Sequence, residues 1–133
     1  MEERLKRLER EFNESTFWQF LGIHIIEIKE GTAKTELNIH PSLLNVNGTL
    51  HGGIYATILD STMGLTSRTI GMDGSVTLQM NVQFLSSVTN GKVYAEANIV
   101  HRTRSTALVE GKLYDETNKL LAHSTATFKM IRK

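Results

Sequence analysis

The aspartate at position 60 is a candidate functional residue because it interrupts a mostly apolar stretch, residues 52–70, that is predicted to be a helix. Acidic side chains are rarely buried unless they are paired. Asp60 is therefore either a structural acid, which caps a loop or pairs with an arginine, or a carboxylate retained for chemistry. The spacing alone leaves these two interpretations equally open.

The segment before this helix has a composition that would let a ligand approach the backbone. Asn45, Gly48, Gly52 and Gly53 surround the predicted helix start. The first turn of a helix has free N–H groups and a partial positive charge, so it can hold an anion, including an oxyanion formed only in a transition state. His51 lies at this point as well, and we favour a hydrogen bond to nearby backbone over a role as a base.

The position of Asp60 along the helix constrains how it could be used. Ala56, Asp60 and Gly64 are four residues apart and form a face of small side chains that another group can approach. At 1.5 Å per residue, Asp60 lies roughly 12 Å beyond Gly52 along the axis. One chain could hardly bring both to one scissile bond, whereas two chains could, with Asp60 of one facing Gly52 of the other.

Hydrophobic periodicity predicts the elements that must position these residues. Apolar residues at helical spacing indicate helices, and alternating apolar residues indicate strands. The predicted order is a helix, two strands, one long helix and four antiparallel strands, over residues 2–13, 23–29, 32–39, 52–70, 76–84, 93–100, 106–113 and 122–130.

Turn residues and alternation specify the sheet further. Tight turns are predicted at Gly31, at residues 115–119, and at Asn90-Gly91, a dipeptide typical of type I′ hairpins. In residues 76–84 every second side chain is apolar, and Thr77 belongs to the intervening polar row with Gln79 and Asn81. This pattern does not show that the polar row faces Asp60.

One helix against one curved antiparallel sheet is a two-layer α+β arrangement, and residues 1–133 are expected to form a single domain. A sheet of this kind leaves its edge strands unpaired. Pairing with a second copy hides those edges. We therefore expect a homodimer at least.

Composition excludes several classes of function. There are 15 Lys and Arg against 14 Asp and Glu and no basic tract, so we expect no nucleic-acid partner. There is no cysteine, and the five histidines lack ligand spacing, so we expect neither a metal site nor a disulfide. No apolar stretch is long enough to span a bilayer and the charged N-terminus lacks a signal core, so a cytoplasmic location is expected.

The segment NVNGTLHGG, residues 45–53, followed by Asp60, resembles the signature of hotdog-fold acyl-CoA thioesterases, and most closely the phenylacetate-pathway (PaaI-type) group. FWQFLGIHI is similar to the entry segment of that family, and residues 101–128 are similar to its closing strands. The resemblance implies the hotdog fold, a long helix wrapped by a curved antiparallel sheet. It also implies dimers or tetramers with active sites between subunits, hydrolysis of acyl-CoA, and no cofactor.

The resemblance also implies roles for individual residues. Asp60 would be the nucleophile or the general base, and the Gly52 N–H of the other subunit would hold the oxyanion. Asn45 would orient water or the carbonyl, and Thr77 would position water. His51 would support the loop or touch the thioester, and Gly53 would lie at the substrate. The turn containing Arg102, Arg104 and Ser105 would contact coenzyme A, although a solvated basic turn is an equal alternative.

Two other functions remain open at this point. A protein with this fold could bind acyl-CoA without turnover. The sequence shows no attached DNA-binding segment, which counts against a regulator. A hotdog dehydratase would yield an enoyl product, but that branch usually works with a His–Asp or His–Glu pair in a different motif. The acyl group is not specified; Phe17, Trp18, Phe20 and Tyr55 could line an aromatic or medium-chain acyl pocket or simply pack in the core.

Overall fold

The computed structural model describes residues 2–132, which form three α-helices, one 3₁₀ turn and six strands. The bounds are α1 Glu3–Asn13, α2 Thr16–Leu21, β1 Ile23–Lys29, β2 Thr32–Asn38, the 3₁₀ turn Pro41–Leu43, α3 Gly52–Arg68, β3 Gly74–Phe84, β4 Lys92–Arg102, β5 Thr106–Asp115 and β6 Leu120–Ile131. No helix within these residues has the length and apolarity needed to cross a membrane.

The six strands form one antiparallel sheet in the order β1-β2-β4-β5-β6-β3, and α3 lies against its inner face. The helix packs against β2, β3, β4, β5 and β6, which shows that the sheet curves around it. Ile58, Leu59 and Met63 on α3 are at most 1% exposed and pack into the core. The predicted inner faces of β4, β5 and β6 are confirmed, since Val93, Val109 and most of their neighbours in each alternating row are buried and Ile99 is partly buried.

The tight turns are predicted correctly in two of three places. Gly31 joins β1 to β2 with a φ of +89°. Residues 115–119 join β5 to β6, where the Asp115 carboxylate accepts hydrogen bonds from the backbone of Thr117 and Lys119. These bonds, with one from the Thr117 hydroxyl, lower the pKa of Asp115 below its ordinary value.

The predicted hairpin at Asn90-Gly91 is wrong. Gly91 has a φ of +87°, but Asn90 does not take the positive φ that a type I′ turn also requires. The strands on either side are not neighbours, because β3 pairs with β6 at one edge and β4 lies between β2 and β5. Residues 85–91 therefore cross from the edge of the sheet to its interior, held by bonds such as Leu50 N to Val88 O at 2.8 Å.

The aromatic segment after α1 forms a short helix, α2, that periodicity did not predict. The Ser15 hydroxyl accepts a hydrogen bond from Trp18 N at 3.3 Å, and Gly22 ends the helix with a φ of +87°. Trp18 is buried against Phe12, with ring centroids 5.1 Å apart. The cap and the ring contact hold a helix that is too short to show a periodic pattern.

A β-bulge in β3 overturns the prediction that residues 76–84 alternate without a break. Thr77 pairs with Phe128, and Gln79 pairs with the next residue of β6, so Leu78 is an extra residue. Since Phe128 is buried on the inner face, Thr77 faces inward, whereas Gln79 faces outward opposite Thr127. The bulge thus separates Thr77 from the polar row to which the sequence assigned it.

Candidate active site

Asp60 and Thr77 meet where the middle of α3 approaches β3. The Thr77 hydroxyl donates a hydrogen bond to Asp60 Oδ1 at 2.8 Å. Asp60 is half-buried and Thr77 is exposed, so solvent reaches the pair. No arginine or lysine forms an ion pair with Asp60, and the interpretation of Asp60 as half of a salt bridge therefore does not apply within residues 2–132.

The face of α3 around Asp60 is open because its neighbours are small. Ala56 and Gly64 flank Asp60 at four-residue spacing. A side chain at Gly64 would lie 3.7 Å from the Phe128 ring, so the glycine brings the helix close to the sheet. One turn further, the hydroxyls of Ser67 and Ser75 are 2.8 Å apart and tie the end of α3 to the start of β3. This fixes the spacing between helix and edge strand on which the Asp60–Thr77 contact depends.

The start of α3 holds an amide without a partner. His51 is the N-cap, and its Nδ1 accepts a hydrogen bond from Gly53 N at 2.8 Å. Its carbonyl oxygen accepts from Ile54 N at 2.8 Å. Among the described residues, none accepts a hydrogen bond from Gly52 N, which leaves this amide for an external acceptor. The contact between His51 and the backbone agrees with the interpretation favoured from the sequence.

A shallow groove of about 340 Å³ adjoins the free amide. It is lined by Leu50, Gly52, Tyr55, Phe84 and Leu85, with Ser86 and Ser87. Phe84 lies so close that a β-carbon on Gly52 would be 3.4 Å from the ring. The Tyr55 hydroxyl donates to Ser86 O at 2.7 Å, and burial raises the pKa of Tyr55, which keeps the phenol protonated.

The aromatic residues singled out in the sequence divide between two environments. Tyr55 lines the groove, whereas Trp18 is in the core and Phe17 and Phe20 are exposed on α2. The sequence analysis missed Phe84 as a lining residue. Its alternation predicted an inward orientation, but only the spatial closeness of the end of β3 to the start of α3 brings it to Gly52.

The loop before α3 is organised by Asn45. Its Oδ1 accepts from Asn47 N at 2.9 Å and from Thr49 N at 3.2 Å, and its Nδ2 donates to Thr49 Oγ1 at 2.9 Å. The backbone N–H of Asn45 also donates a hydrogen bond to Thr49 O at 2.8 Å, and Leu44 and Leu50 form an isolated β-bridge next to it. The side chain of Asn45 is thus committed to this turn.

Arg102, Arg104 and Ser105 are exposed at the β4–β5 turn, beside the end of β6. Arg102 pairs with Ala107, Ala107 with Phe128, and Phe128 with Thr77. Arg102 therefore lies on the inner side of the sheet, three strand spacings or roughly 14 Å from Thr77. Arg104 and Ser105 accept hydrogen bonds only through their carbonyl oxygens, from Arg132 and Met130, so their side chains face solvent.

Within one chain the two groups of candidate residues stay apart. Asn45, His51, Gly52 and Gly53 lie at the start of α3, and Asp60 lies two turns later, roughly 12 Å along the axis. The described residues contain no cluster of three or more side chains suited to a metal. The chain therefore presents a carboxylate at one place and a free amide at another.

Comparison with known proteins defines the class to which this fold and site belong. The family model described as the thioesterase superfamily matches residues 47–122. A 1,4-dihydroxy-2-naphthoyl-CoA hydrolase of Listeria monocytogenes is 31% identical over 115 residues, which are 85% of this chain and 94% of that protein. The match includes the glycine-rich helix entry and the helix that carries Asp60.

Solved structures agree on the fold. The PaaI protein of the phenylacetic acid degradation operon of E. coli has a TM-score of 0.91 at 20% identity, over 96% of this chain and 94% of that one. A thioesterase of Haemophilus influenzae has a TM-score of 0.88 at 24% identity, over 99% of this chain and 93% of that one. At these identities the likeness shows the fold, and the hotdog prediction is confirmed.

This chain belongs to the thioesterase superfamily. Within it, the chain is a hotdog-fold thioester hydrolase.

Proposed function

We propose that this protein hydrolyses acyl-CoA thioesters to a free acid and coenzyme A, with an aromatic or medium-chain acyl group. The observation that carries the proposal is the 2.8 Å hydrogen bond that holds the Asp60 carboxylate on an open helix face. The name of the Listeria relative describes an aromatic acyl-CoA as its substrate, which supports the same class here. The apolar groove of Tyr55 and Phe84 beside Gly52 supports an aromatic or aliphatic acyl group.

Asp60 is the reacting carboxylate in this proposal. Thr77 occupies one lone pair of Oδ1 and fixes the orientation of the carboxylate, so Oδ2 remains for chemistry. As a general base, Oδ2 takes a proton from water while the water oxygen attacks the thioester carbon. As a nucleophile, it attacks that carbon to form an anhydride, which water then hydrolyses. In both routes the C–S bond breaks and the sulfur leaves as a thiolate, which takes a proton from Asp60 in the first route and from water in the second.

The developing negative charge on the carbonyl oxygen needs a donor, and Gly52 of the partner subunit supplies it in this proposal. The Gly52 amide has no acceptor in its own chain, and a helix N-terminus favours negative charge. Since Asp60 and Gly52 of one chain are roughly 12 Å apart, a second copy must contribute one of them. Self-association is therefore part of the proposal, as a dimer or a dimer of dimers.

The edge of the sheet offers a place for the second copy. β3 is the edge strand that carries Thr77, and Val76 and Leu78 on it are 50% and 57% exposed. An exposed apolar edge strand pairs readily with another chain. In this proposal, pairing along β3 brings Asp60 of each α3 toward the start of α3 in the other subunit.

The remaining candidate residues bind or support the substrate. His51 holds the first turn through Gly53, which keeps the Gly52 amide oriented. Arg102 and Arg104 present guanidinium groups to the phosphates of coenzyme A, with Ser105 as a hydroxyl donor. In this proposal residues 1–133 act as one domain without a cofactor, and the cytoplasmic location expected from the sequence stays a prediction.

A thiol-release assay over a panel of acyl-CoA substrates tests the proposal. Wild-type protein is expected to release free thiol from aromatic or medium-chain members. Asp60→Asn is expected to lower kcat by about 100-fold or more with the fold retained, because it removes the base or nucleophile. Glu96→Gln on the outer face of β4 is the matched control and should keep wild-type turnover. Full turnover in Asp60→Asn would refute the assignment.

A further inference from the structure

Two hydroxyl groups on the inner face of β3 lie next to the candidate carboxylate. Ser75 and Thr77 pair with residues of β6 that are buried on the inner face, so both hydroxyls lie on that side of the strand. Because they are two residues apart, their positions along the strand differ by roughly 7 Å. Thr77 donates its hydroxyl proton to Asp60, which leaves the Thr77 oxygen only as an acceptor.

The direction of the hydrogen bonds shows that Ser75 is an acceptor as well. The Ser67 hydroxyl lies 2.7 Å from Gly64 O, and since a carbonyl oxygen only accepts, Ser67 donates its single proton there. Ser75 must therefore be the donor in the 2.8 Å hydrogen bond between Ser67 and Ser75. Ser75 Oγ has no other hydrogen-bond partner among residues 2–132, and Ser75 is only partly buried. Both lone pairs of its oxygen are left for a donor from outside the chain.

Ser75 lies between the candidate carboxylate and the basic β4–β5 turn. On one side, Thr77 lies two residues further along β3 and binds Asp60. On the other side, the β6 partner of Ser75 is Met130, whose backbone N–H donates to Ser105 O at 2.7 Å. Two strand spacings, roughly 10 Å, thus separate Ser75 from the turn that is proposed to hold the phosphates of coenzyme A. A thioester with its sulfur at Asp60 and its phosphates at that turn runs past Ser75.

The part of coenzyme A between its sulfur and its phosphates matches an acceptor at this place. This pantetheine arm carries one amide two carbons from the sulfur and a second amide further on. Each amide has an N–H group, and an N–H that is removed from water without an acceptor destabilises the complex. An acceptor beside Asp60 therefore favours a thioester whose first amide N–H reaches it.

We propose that Ser75 binds the first amide N–H of the pantetheine arm, and that Ser67 holds the Ser75 hydroxyl in its accepting orientation. This subsite rests on the proposed function, because it lies beside the proposed reacting carboxylate. It makes the pantetheine arm, in addition to the acyl group, a part of the substrate that the protein recognises. Ser75 binds the substrate and takes no part in breaking the C–S bond.

The test uses two short thioesters of one acyl group that differ only at the amide. The N-acetylcysteamine thioester keeps the first N–H of the pantetheine arm, and the thioester of 2-mercaptoethyl acetate has an ester oxygen in its place. Wild type, Ser75→Ala and Ser67→Ala are compared for kcat/KM on both compounds and for inhibition of acyl-CoA hydrolysis by both. Ser67→Ala is the matched control, because it breaks the same contact between α3 and β3 but keeps the Ser75 oxygen.

A direct hydrogen bond from the amide predicts an effect on the amide compound alone. Wild type should prefer this compound by about tenfold or more in kcat/KM, because the ester places an oxygen against the lone pairs of Ser75. Ser75→Ala should reduce the ratio to about twofold or less, whereas Ser67→Ala should keep it within about threefold of wild type. With acyl-CoA, Ser75→Ala should raise KM by about tenfold and change kcat by less than about threefold, as for the loss of uniform binding.

Three results would overturn the inference. The first is a wild-type protein that does not distinguish the two short thioesters, and the second is a Ser75→Ala variant that keeps the wild-type ratio. The third is an equal loss of the ratio in both variants, which would mean that the contact between α3 and β3 matters and the Ser75 oxygen does not.

The Asp60→Asn variant separates these results from a failure of the proposed function. If wild type releases thiol from acyl-CoA and Asp60→Asn does not, any of the three results removes the Ser75 subsite alone. If Asp60→Asn is fully active, or if wild type releases no thiol from any acyl-CoA, the proposed function fails and the subsite fails with it.

Discussion

The two edge strands of the sheet, β1 and β3, each contain a β-bulge, but the elements and charges around them differ. Each carries one bulge with an exposed apolar residue, Ile26 in β1 at 48% exposure and Leu78 in β3 at 57%. β1 has 7 residues, is flanked by α1 and α2, and bears Glu27 and Lys29 outside. β3 has 11 residues, and α1 and α2 do not cover it.

This difference shows which edge is protected against pairing and which is not. Short length, charge, bulges and a covering helix are the usual means of blocking an edge strand, and β1 combines all of them. β3 has only the bulge, and that bulge turns Thr77 toward Asp60. The open edge therefore belongs to the strand whose Thr77 holds the candidate carboxylate, Asp60 of α3.

The largest expected effect comes from a charge at the open edge. Leu78→Lys should yield a monomer and lower kcat/KM by about 100-fold or more, because the carboxylate and the partner's amide no longer meet. Light scattering for mass and thiol release for activity check this. Leu78 is exposed in the chain, so the substitution should leave the monomer folded.

Ile26→Lys is the matched control, with the same substitution at the bulge of β1. It should keep the mass and turnover of wild type. The comparison of the edges would be wrong if both lysine variants had the same mass as wild type, or if Ile26→Lys alone dissociated the protein.

The next effect separates two threonines that contact α3 from strands near opposite edges of the sheet. The Thr35 hydroxyl on β2 is buried and lies 2.7 Å from the hydroxyl of Thr62, whereas Thr77 binds Asp60 near solvent. Thr77→Val should lower kcat by about tenfold, because the carboxylate loses its orientation. Its melting temperature should stay within about 2 °C of wild type, as for a surface change.

Thr35→Val should show the opposite pattern. It removes a buried hydrogen bond and should lower the free energy of unfolding by about 1 kcal/mol, with kcat unchanged. Chemical denaturation and the thiol-release assay measure the two quantities. A loss of stability without a loss of kcat in Thr77→Val would show that the Asp60 contact is structural.

The smallest effect lies on two strands that are not edges, at the hydrogen bond between Glu110 and His123 on the outer face of β5 and β6. The side chains are 2.8 Å apart and about one third exposed. The hydrogen bond from His123 lowers the pKa of Glu110 below its ordinary value of 4.5, with a smaller contribution from the charge of Lys112. Stability from this pair is thus present above pH 4.5 and is lost as the pH falls through the lowered pKa.

Glu110→Gln should therefore reduce the free energy of unfolding by roughly 0.5 kcal/mol at neutral pH. At a pH low enough to protonate Glu110 in the wild-type protein, the two proteins should have the same free energy of unfolding. Denaturation of both proteins between pH 3 and pH 7 measures the difference. Mass and kcat should not change. A difference that grows toward acidic pH would contradict the sign of the pKa shift.

Local patterns in the chain were enough for most of the elements. The apolar stripe of α1, the alternation of β4 to β6 and the glycine at the β1–β2 turn are each encoded within a few neighbouring residues. The small-residue face around Asp60 and the glycines before α3 are local as well. These features were predictable because each depends on a repeat or a backbone conformation that adjacent side chains specify.

The order of the strands was decided by tertiary structure. Asn90-Gly91 is a local hairpin signal, yet β3 pairs with β6, whose partner residues lie 38 to 57 positions away in the chain. The distant partner wins because its inner-face residues complete the core around α3. No pattern within residues 84–92 indicates that β3 pairs with β6 and not with β4.

The orientation of Thr77 was decided in the same way. A single extra residue in β3 exchanges the two faces of the strand, and its position depends on how β6 pairs on either side of Leu78. The sequence by itself determined that an acid, a glycine-led helix and a threonine exist at these positions. Tertiary structure alone brought the threonine of the open edge strand to the acid on α3, because pairing between distant strands sets register and edge, and neighbouring residues do not.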